Sequence, residues 1–251
     1  TLQSVSTPAP SDNRISTLTF LRREHIAPYT ISFWFRDEPK IDFQPGQYIQ
    51  VVLPHPSPDQ RGIRRLFTIS SSPTEGEIMI TTKVPEPHST FKTALTSLSP
   101  GEQVAVTMVR GSYVLPEDPR IPCAFLAAGI GITPFRSMVK YLVDTGRSRS
   151  IVLLYGEWGA EDFIFEEVFA EGERAFGLKT VYTITGPEVP PDWRGLTGLF
   201  SPSMIREEVP DYEDRLFYVC GSPSSVLAIE AMLLEMGLSR ERILRDYFPG
   251  Y

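Results

Sequence analysis

Residues 121–135 read IPCAFLAAGIGITPF, and the fold turns on this stretch. Its first part, CAFLAA, is an unbroken apolar run, the mark of a strand buried on both faces. The run breaks into GIG, where glycines let the backbone turn tightly and approach a ligand closely. Thr133 in the N-cap position and Pro134 at the first helical position then open a helix. Phe135, Met138, Val139 and Leu142 recur behind them at helical spacing. The same alternation continues downstream. SIVLLYG (150–156), KTVYTIT (179–185) and RLFYVCG (215–221) read as buried strands. EDFIFEEVF (161–169), the segment capped by Ser201-Pro202, and the segment from Pro223 to Gly237 read as helices. Strands alternating with helices predict a parallel, doubly wound α/β sheet over residues 121–251.

Upstream the grammar differs. ISTLTFL, TISFWFR, QYIQVVLP, LFTIS, EIMITTKV and EQVAVTMV are short alternating strands separated by Pro/Gly turns. Ile31, Phe33 and Phe35 share one face, as do Val104, Val106 and Met108. One helix, STFKTALTSL, interrupts them, with Phe91, Leu95 and Leu98 on one side. This pattern predicts a two-domain chain whose N-terminal half, residues 14–116, is an antiparallel β-barrel. The opening TLQSVSTPAPSDN has no basic stretch and no apolar core, so no signal peptide is expected there, and a cytoplasmic location is.

Composition excludes several classes. The formal net charge of −7 argues against a nucleic-acid binder, which carries a basic face. No run approaches the roughly 18 apolar residues of a membrane span. Cys123 and Cys220 cannot make a disulfide scaffold or hold an iron–sulfur cluster alone. The three histidines show no metal-ligand spacing, so no metal is expected, and no G-x-S-x-G elbow is present.

Two motifs carry chemistry. AAGIGITP (127–134) offers a helix N-terminus to a phosphate, although taken alone it reads equally as a bare strand–helix turn. RRLFTISS (64–71) places an Arg two residues before an aromatic and a Thr on a barrel strand. Taken alone it reads as an ordinary strand with surface arginines; as a binding motif, its Arg fork would suit a pyrophosphate and its strand hydroxyl the edge of a heterocycle. Cys220 ends an apolar strand and reads as an inert buried thiol or as a ring contact. Phe163, Phe165 and Phe169 read as core, and His88 as a loop residue.

In order along the chain, FQPGQY (43–48), RLFT (65–68), GIGITP (129–134), CGSP (220–223) and the YFPGY end resemble the ferredoxin–NADP reductase superfamily. That resemblance implies an FAD-binding barrel joined to a pyridine-nucleotide domain. It implies an NAD(P)H-dependent reductase passing electrons through FAD to an external acceptor: a ferredoxin, cytochrome, oxygenase or small molecule. From the RLFT motif, Arg65 would bind the FAD pyrophosphate, with Leu66 beside it. Phe67 would stack on the flavin where relatives have tyrosine, and Thr68 would sit at the flavin N5. Thr82, Lys83 and Val84 occupy the segment whose backbone holds the flavin or its ribityl chain. The second phosphate motif is degraded to PHSTFK, leaving Ser89, Thr90 or Lys92 as substitutes. Gly129, Gly131, Ile132, Thr133 and Pro134 would cradle the nicotinamide nucleotide. Cys220, Gly221 and Ser222 would lie beside its ring. Phe248 or Tyr251 would shield the flavin, and Asp246 matches an acidic residue near the active site. The expected catalytic set is Thr68, Cys220 and Phe248. No Ser-Arg pair follows the third strand, and Glu157 and Glu161 would repel a 2′-phosphate, so NADH is favoured over NADPH. The alternative is a flavin-binding module that has lost nicotinamide hydride transfer.

Overall fold

The computed structural model describes residues 16–248. The expectations for the opening segment and for Tyr251 lie outside them.

Six antiparallel strands come first: β1 (Ser16–Ala27), β2 (Thr30–Asp37), β3 (Tyr48–Val52), β4 (Arg64–Thr68), β5 (Ile78–Lys83) and, after helix α1 (Thr90–Thr96), β6 (Gln103–Arg110). Their order is β4-β3-β6-β1-β2-β5. The edges β4 and β5 meet through an Ile69↔Ile80 bridge, so the sheet curls shut. Alternation explains the interior: Leu18, Phe20, Phe33, Phe35, Ile49 and Val51 all point inward. Phe91 and Leu95 of α1 join the same core.

The second sheet is parallel: β7 (Cys123–Ala128), β8 (Ile151–Glu157), β9 (Lys179–Ile184), β10 (Leu196–Thr197), β11 (Leu216–Gly221) and β12 (Ile243–Tyr247). It has the order β10-β9-β8-β7-β11-β12. Helices α2 (Thr133–Asp144) and α3 (Glu166–Phe176) pack on one face through Phe125, Phe135, Met138 and Phe169. Helices α4 (Pro202–Glu208) and α5 (Pro223–Glu235) pack on the other through Leu126, Val219, Ile205, Val226 and Leu233. The chain leaves β7 in one direction towards β8 and returns on its other side at β11. The crevice for a ligand therefore opens at the carboxyl ends of β7 and β11.

Two local expectations are corrected. Thr133 does not cap α2; it is already helical (φ −58°, ψ −44°), because a 3₁₀ turn over Gly129–Ile132 runs straight into the helix. EDFIFEEVF is not one helix. Phe163 is extended, Phe165 is left-handed (φ 65°), and α3 begins at Glu166. Phe163, Ile164 and Phe165 are all buried, and three consecutive side chains cannot share one helix face. Phe163 stacks on Trp193 with ring centroids 5.5 Å apart.

The two sheets are clamped together. Arg136 of α2 donates to the Ser70 carbonyl at 3.1 Å and pairs with both oxygens of Glu75. Ser137 Oγ donates to the Ser71 carbonyl at 2.6 Å. Gly46 (φ 97°) passes beneath the Tyr113 carbonyl, where any Cβ would collide with that oxygen and with Met138. Among the described residues, no helix is long and apolar enough to cross a membrane.

Candidate functional site

A cavity of about 490 Å³ lies where β4, α1 and the end of β12 converge, within the size range of small-molecule sites. On β4 the pleat buries Arg65, Phe67 and Thr68 and exposes Arg64 and Leu66. The Phe67 ring packs on Phe91, centroids 6.0 Å apart, and borders the cavity. Thr68 is 4% exposed and its Oγ1 has no hydrogen-bond partner. A buried hydroxyl left unpaired costs roughly 1–3 kcal/mol, and this one borders the cavity, where a bound group can complete it.

Arg65 is placed differently from the expectation of an open fork. Its Nη2 takes both oxygens of Asp59 at 2.8 Å, and its Nη1 donates to the carbonyls of Arg61, Gly62 and Arg64. It organises the 59–64 turn, and that turn brings Arg61 and Arg64 to the cavity beside it. Lys92 lines the same wall and donates from Nζ to the Lys83 carbonyl at 2.6 Å. Burial, then the charges of Arg61 and Arg65, push its ammonium down to about 8. Cations crowded to that degree make a ready seat for a diphosphate.

The remaining barrel expectations separate. Thr82 and Leu66 line the cavity. Ser89 lines it too, but its Oγ caps α1 by accepting from the Lys92 amide. Thr90 Oγ1 accepts from the Asp59 amide and bonds His55, so it holds the turn. Val84 packs on the barrel core and spends its amide on the Tyr29 carbonyl. The Lys83 side chain leaves the barrel altogether.

A second cavity, about 540 Å³, opens at the carboxyl ends of β7, β8 and β11. Ala128, Gly129 and Ile130 form one wall; Ser222, Ser224 and Ser225, at the start of α5, form another. Gly131 lies under the Cys220 carbonyl so closely that no Cβ fits, and this lets the turn sit between β7 and β11. Gly131, Ile132, Thr133, Pro134 and Gly221 thus frame this cavity without lining it. Lys83 and Glu157, joined at 2.8 Å, form its floor. Trp158 and Leu199, both highly exposed, form its outer lip.

Cys220 is fully buried and lines neither cavity; burial, then the nearby Asp246, raise its thiol well above the ordinary range. Asp246, opposite Cys220 in the β11–β12 register, does face the first cavity. Burial lifts its carboxyl to about 6. Phe248 lines the first cavity, and its amide donates to the Gly221 carbonyl at 3.2 Å. That bond ties the chain end to the junction between the cavities. Asp246, which the resemblance had pointed to, lines the cavity, as do Tyr48, Arg61 and Arg64, which escaped the expected set. Arg61 and Arg64 look like ordinary surface charge until the turn folds back.

The raised Asp246 has a consequence for stability. The folded chain keeps a proton that the unfolded chain releases near pH 4. This stabilisation is therefore complete below about pH 4 and lost as pH rises through about 6. Asp246→Asn is expected to gain up to about 3 kcal/mol on the wild type between about pH 4 and pH 7. Parallel melting-temperature curves for the two unliganded proteins would reject this.

Residues 125–230 match the family model described as an oxidoreductase NAD-binding domain. The stachydrine N-demethylase reductase subunit of Rhizobium meliloti is 25% identical over 90% of this chain and 65% of its own length. The propane 2-monooxygenase reductase component of Rhodococcus jostii is 26% identical over 83% of this chain and 56% of its own. The chain thus spans about two thirds or less of these relatives. The crystal structure of the Amycolatopsis reductase GcoB superposes with a TM-score of 0.81 at 25% identity, covering 94% of this chain and 70% of that one. A Neisseria gonorrhoeae ferredoxin NADP+ reductase, solved with bound FAD and NADP, superposes at 0.77 and 19% identity over 94% and 99%. With a closed antiparallel sheet, a parallel sheet behind it that carries the oxidoreductase NAD-binding domain match, and its motifs in order, this chain is similar in sequence and fold to the ferredoxin–NADP reductase superfamily.

Proposed function

We propose that the protein is a flavoprotein reductase that takes electrons from NADH and passes them through FAD to a protein acceptor. The observation that carries this reading is the unpartnered Thr68 hydroxyl, buried in a cavity between an aromatic wall and a cluster of cations. Arg61, Arg64 and Lys92 supply positive charge for the FAD diphosphate, with Arg65 holding the turn that presents them. Phe67 offers a flat face to the isoalloxazine, and Thr68 a donor to its edge. When bound, FAD supplies the two-electron redox chemistry. The chain's part is to orient, to exclude water and to supply donors. Phe248 stands at the cavity mouth, where it must move for a nicotinamide to enter. Asp246, lifted to about 6, is able to hold a proton there in mildly acidic solution.

The second cavity suits a dinucleotide without a 2′-phosphate. Among the described residues that line it, Lys83 is the one cation, and Glu157 already takes its charge. A 2′-phosphate needs cationic partners. Trp158 and Leu199 offer an apolar face for an adenine. The oxygenase reductase components among the relatives favour an oxygenase-type protein acceptor.

The FAD-reconstituted protein is expected to be yellow and to bleach anaerobically with NADH. NADPH is expected to act at least about tenfold less efficiently, from about 1.4 kcal/mol of unpaired phosphate charge. Equal efficiency would overturn the NADH preference. A yellow protein inert to both nucleotides would favour the non-reductase flavin module, and failure to bind FAD would end the flavin reading.

A further inference from the structure

Lys83 and Glu157 come from different sheets. Lys83 ends β5 of the barrel and Glu157 ends β8, and their ion pair bridges the cleft at 2.8 Å. The carboxylate side chain is only 2% exposed; the lysine keeps 27% of its surface. The second oxygen, Oε1, accepts from Tyr155 Oη at 3.1 Å, itself fully buried. The ammonium also lies 3.7 Å from where a Cβ of Gly129 would stand. It therefore hangs beside the Gly129 turn, where backbone amides could meet a diphosphate.

Consider the charges around Glu157. Lys83 reaches it from β5, Tyr155 from its own strand, and Asp162 adds negative potential from the turn beyond β8. The Gly129 turn faces it with uncharged backbone. Lys83 is thus the one cation among the described groups that act on it. Burial outweighs even this partner and raises the carboxyl above its ordinary range. A diphosphate competes for the ammonium with a greater charge than one carboxylate. If Lys83 turns to it, Glu157 is left buried with a single neutral partner. A carboxylate in that setting binds a proton rather than stay charged.

We propose that Glu157 is a positioning residue: it holds the Lys83 ammonium over the Gly129 turn in the free protein, and takes a proton from solvent when a dinucleotide diphosphate draws Lys83 away. This rests on the nucleotide reading of the second cavity and adds a proton to it. Nucleotide affinity then falls as pH rises, by up to about tenfold per unit.

The test is calorimetric titration of the FAD-loaded full chain with ADP-ribose, which carries the diphosphate but no hydride. Titrations in two buffers of different protonation heat count the protons exchanged. The wild type is expected to take up a proton, about one per ligand at full linkage. Glu157→Gln is expected to bind with little proton exchange and an affinity nearly independent of pH. Lys83→Met is expected to bind more weakly and also without uptake, since its Glu157 has already lost the cation. Binding by the wild type without proton uptake, or equal uptake by Glu157→Gln, overturns the inference alone. No binding of ADP-ribose by any of the three FAD-loaded proteins overturns the nucleotide site itself and the inference with it.

Discussion

Thr68→Val is expected to make the flavin-free protein more stable and the enzyme slower. Valine matches threonine in shape but removes the buried hydroxyl that finds no partner. An unpaired hydroxyl at that depth costs roughly 1–3 kcal/mol, so its loss returns a share of that. For a chain of this size the gain corresponds to a melting temperature higher by about 2–4 °C per kcal/mol. Under the proposed flavin reading, the same substitution also removes the donor to the flavin edge. A bond of about 1.5–3 kcal/mol at the reacting centre corresponds to a tenfold to hundredfold slower reduction of bound flavin by NADH. Opposite signs in the two measurements are the signature of a group kept for function at a cost to folding. A valine variant that is both less stable and fully active would refute the assignment.

Arg136→Ala is expected to cost about 3–5 kcal/mol. Arg136 is one-tenth exposed and reaches from α2 into the barrel's 70–75 segment. Its guanidinium binds both Glu75 oxygens and the Ser70 carbonyl, and lies 5.4 Å from the Phe165 ring centre. Removal leaves a partly buried carboxylate and a buried carbonyl without their partner. The damage should fall on the seam between the sheets, so unfolding is expected to separate into two transitions where the wild type shows one. The double variant Arg136→Met with Glu75→Leu is expected to recover much of the loss, since neither charge is then stranded. A single unshifted transition for Arg136→Ala would show that the seam is held elsewhere.

Much of this architecture was legible in the residues. Period-two patterns such as Ile31, Phe33 and Phe35 announce barrel strands because one face of each strand must be apolar and the other need not be. The uniform apolarity of CAFLAA and IVLLY announces strands covered on both sides. Ser201 caps α4 as its sequence suggests, its Oγ accepting from the Met204 amide. Other elements were hidden. β12 is formed by ILRDY, two of whose five residues are charged, and its place beside β11 comes from pairing partners rather than its own pattern. β10 is two residues long, too short to leave a periodic trace.

The site divides along the same line. Motif order marked Phe67, Thr68, Gly129 and Ser222, because each lies at a strand or helix end whose position the local pattern already dictates. Arg65 shows the limit: its residue type suits a phosphate, yet which acceptor it takes depends on Asp59 folding back across the turn. Asp246 and Lys83 are similar cases, since burial and a cross-domain partner set their properties. Sequence by itself determined the two kinds of sheet, their order and the strand ends that meet at the cleft, because hydrophobic period and turn chemistry are local. Tertiary structure alone decided which charges face one another there, because pairing and burial are set by atoms far apart in the chain.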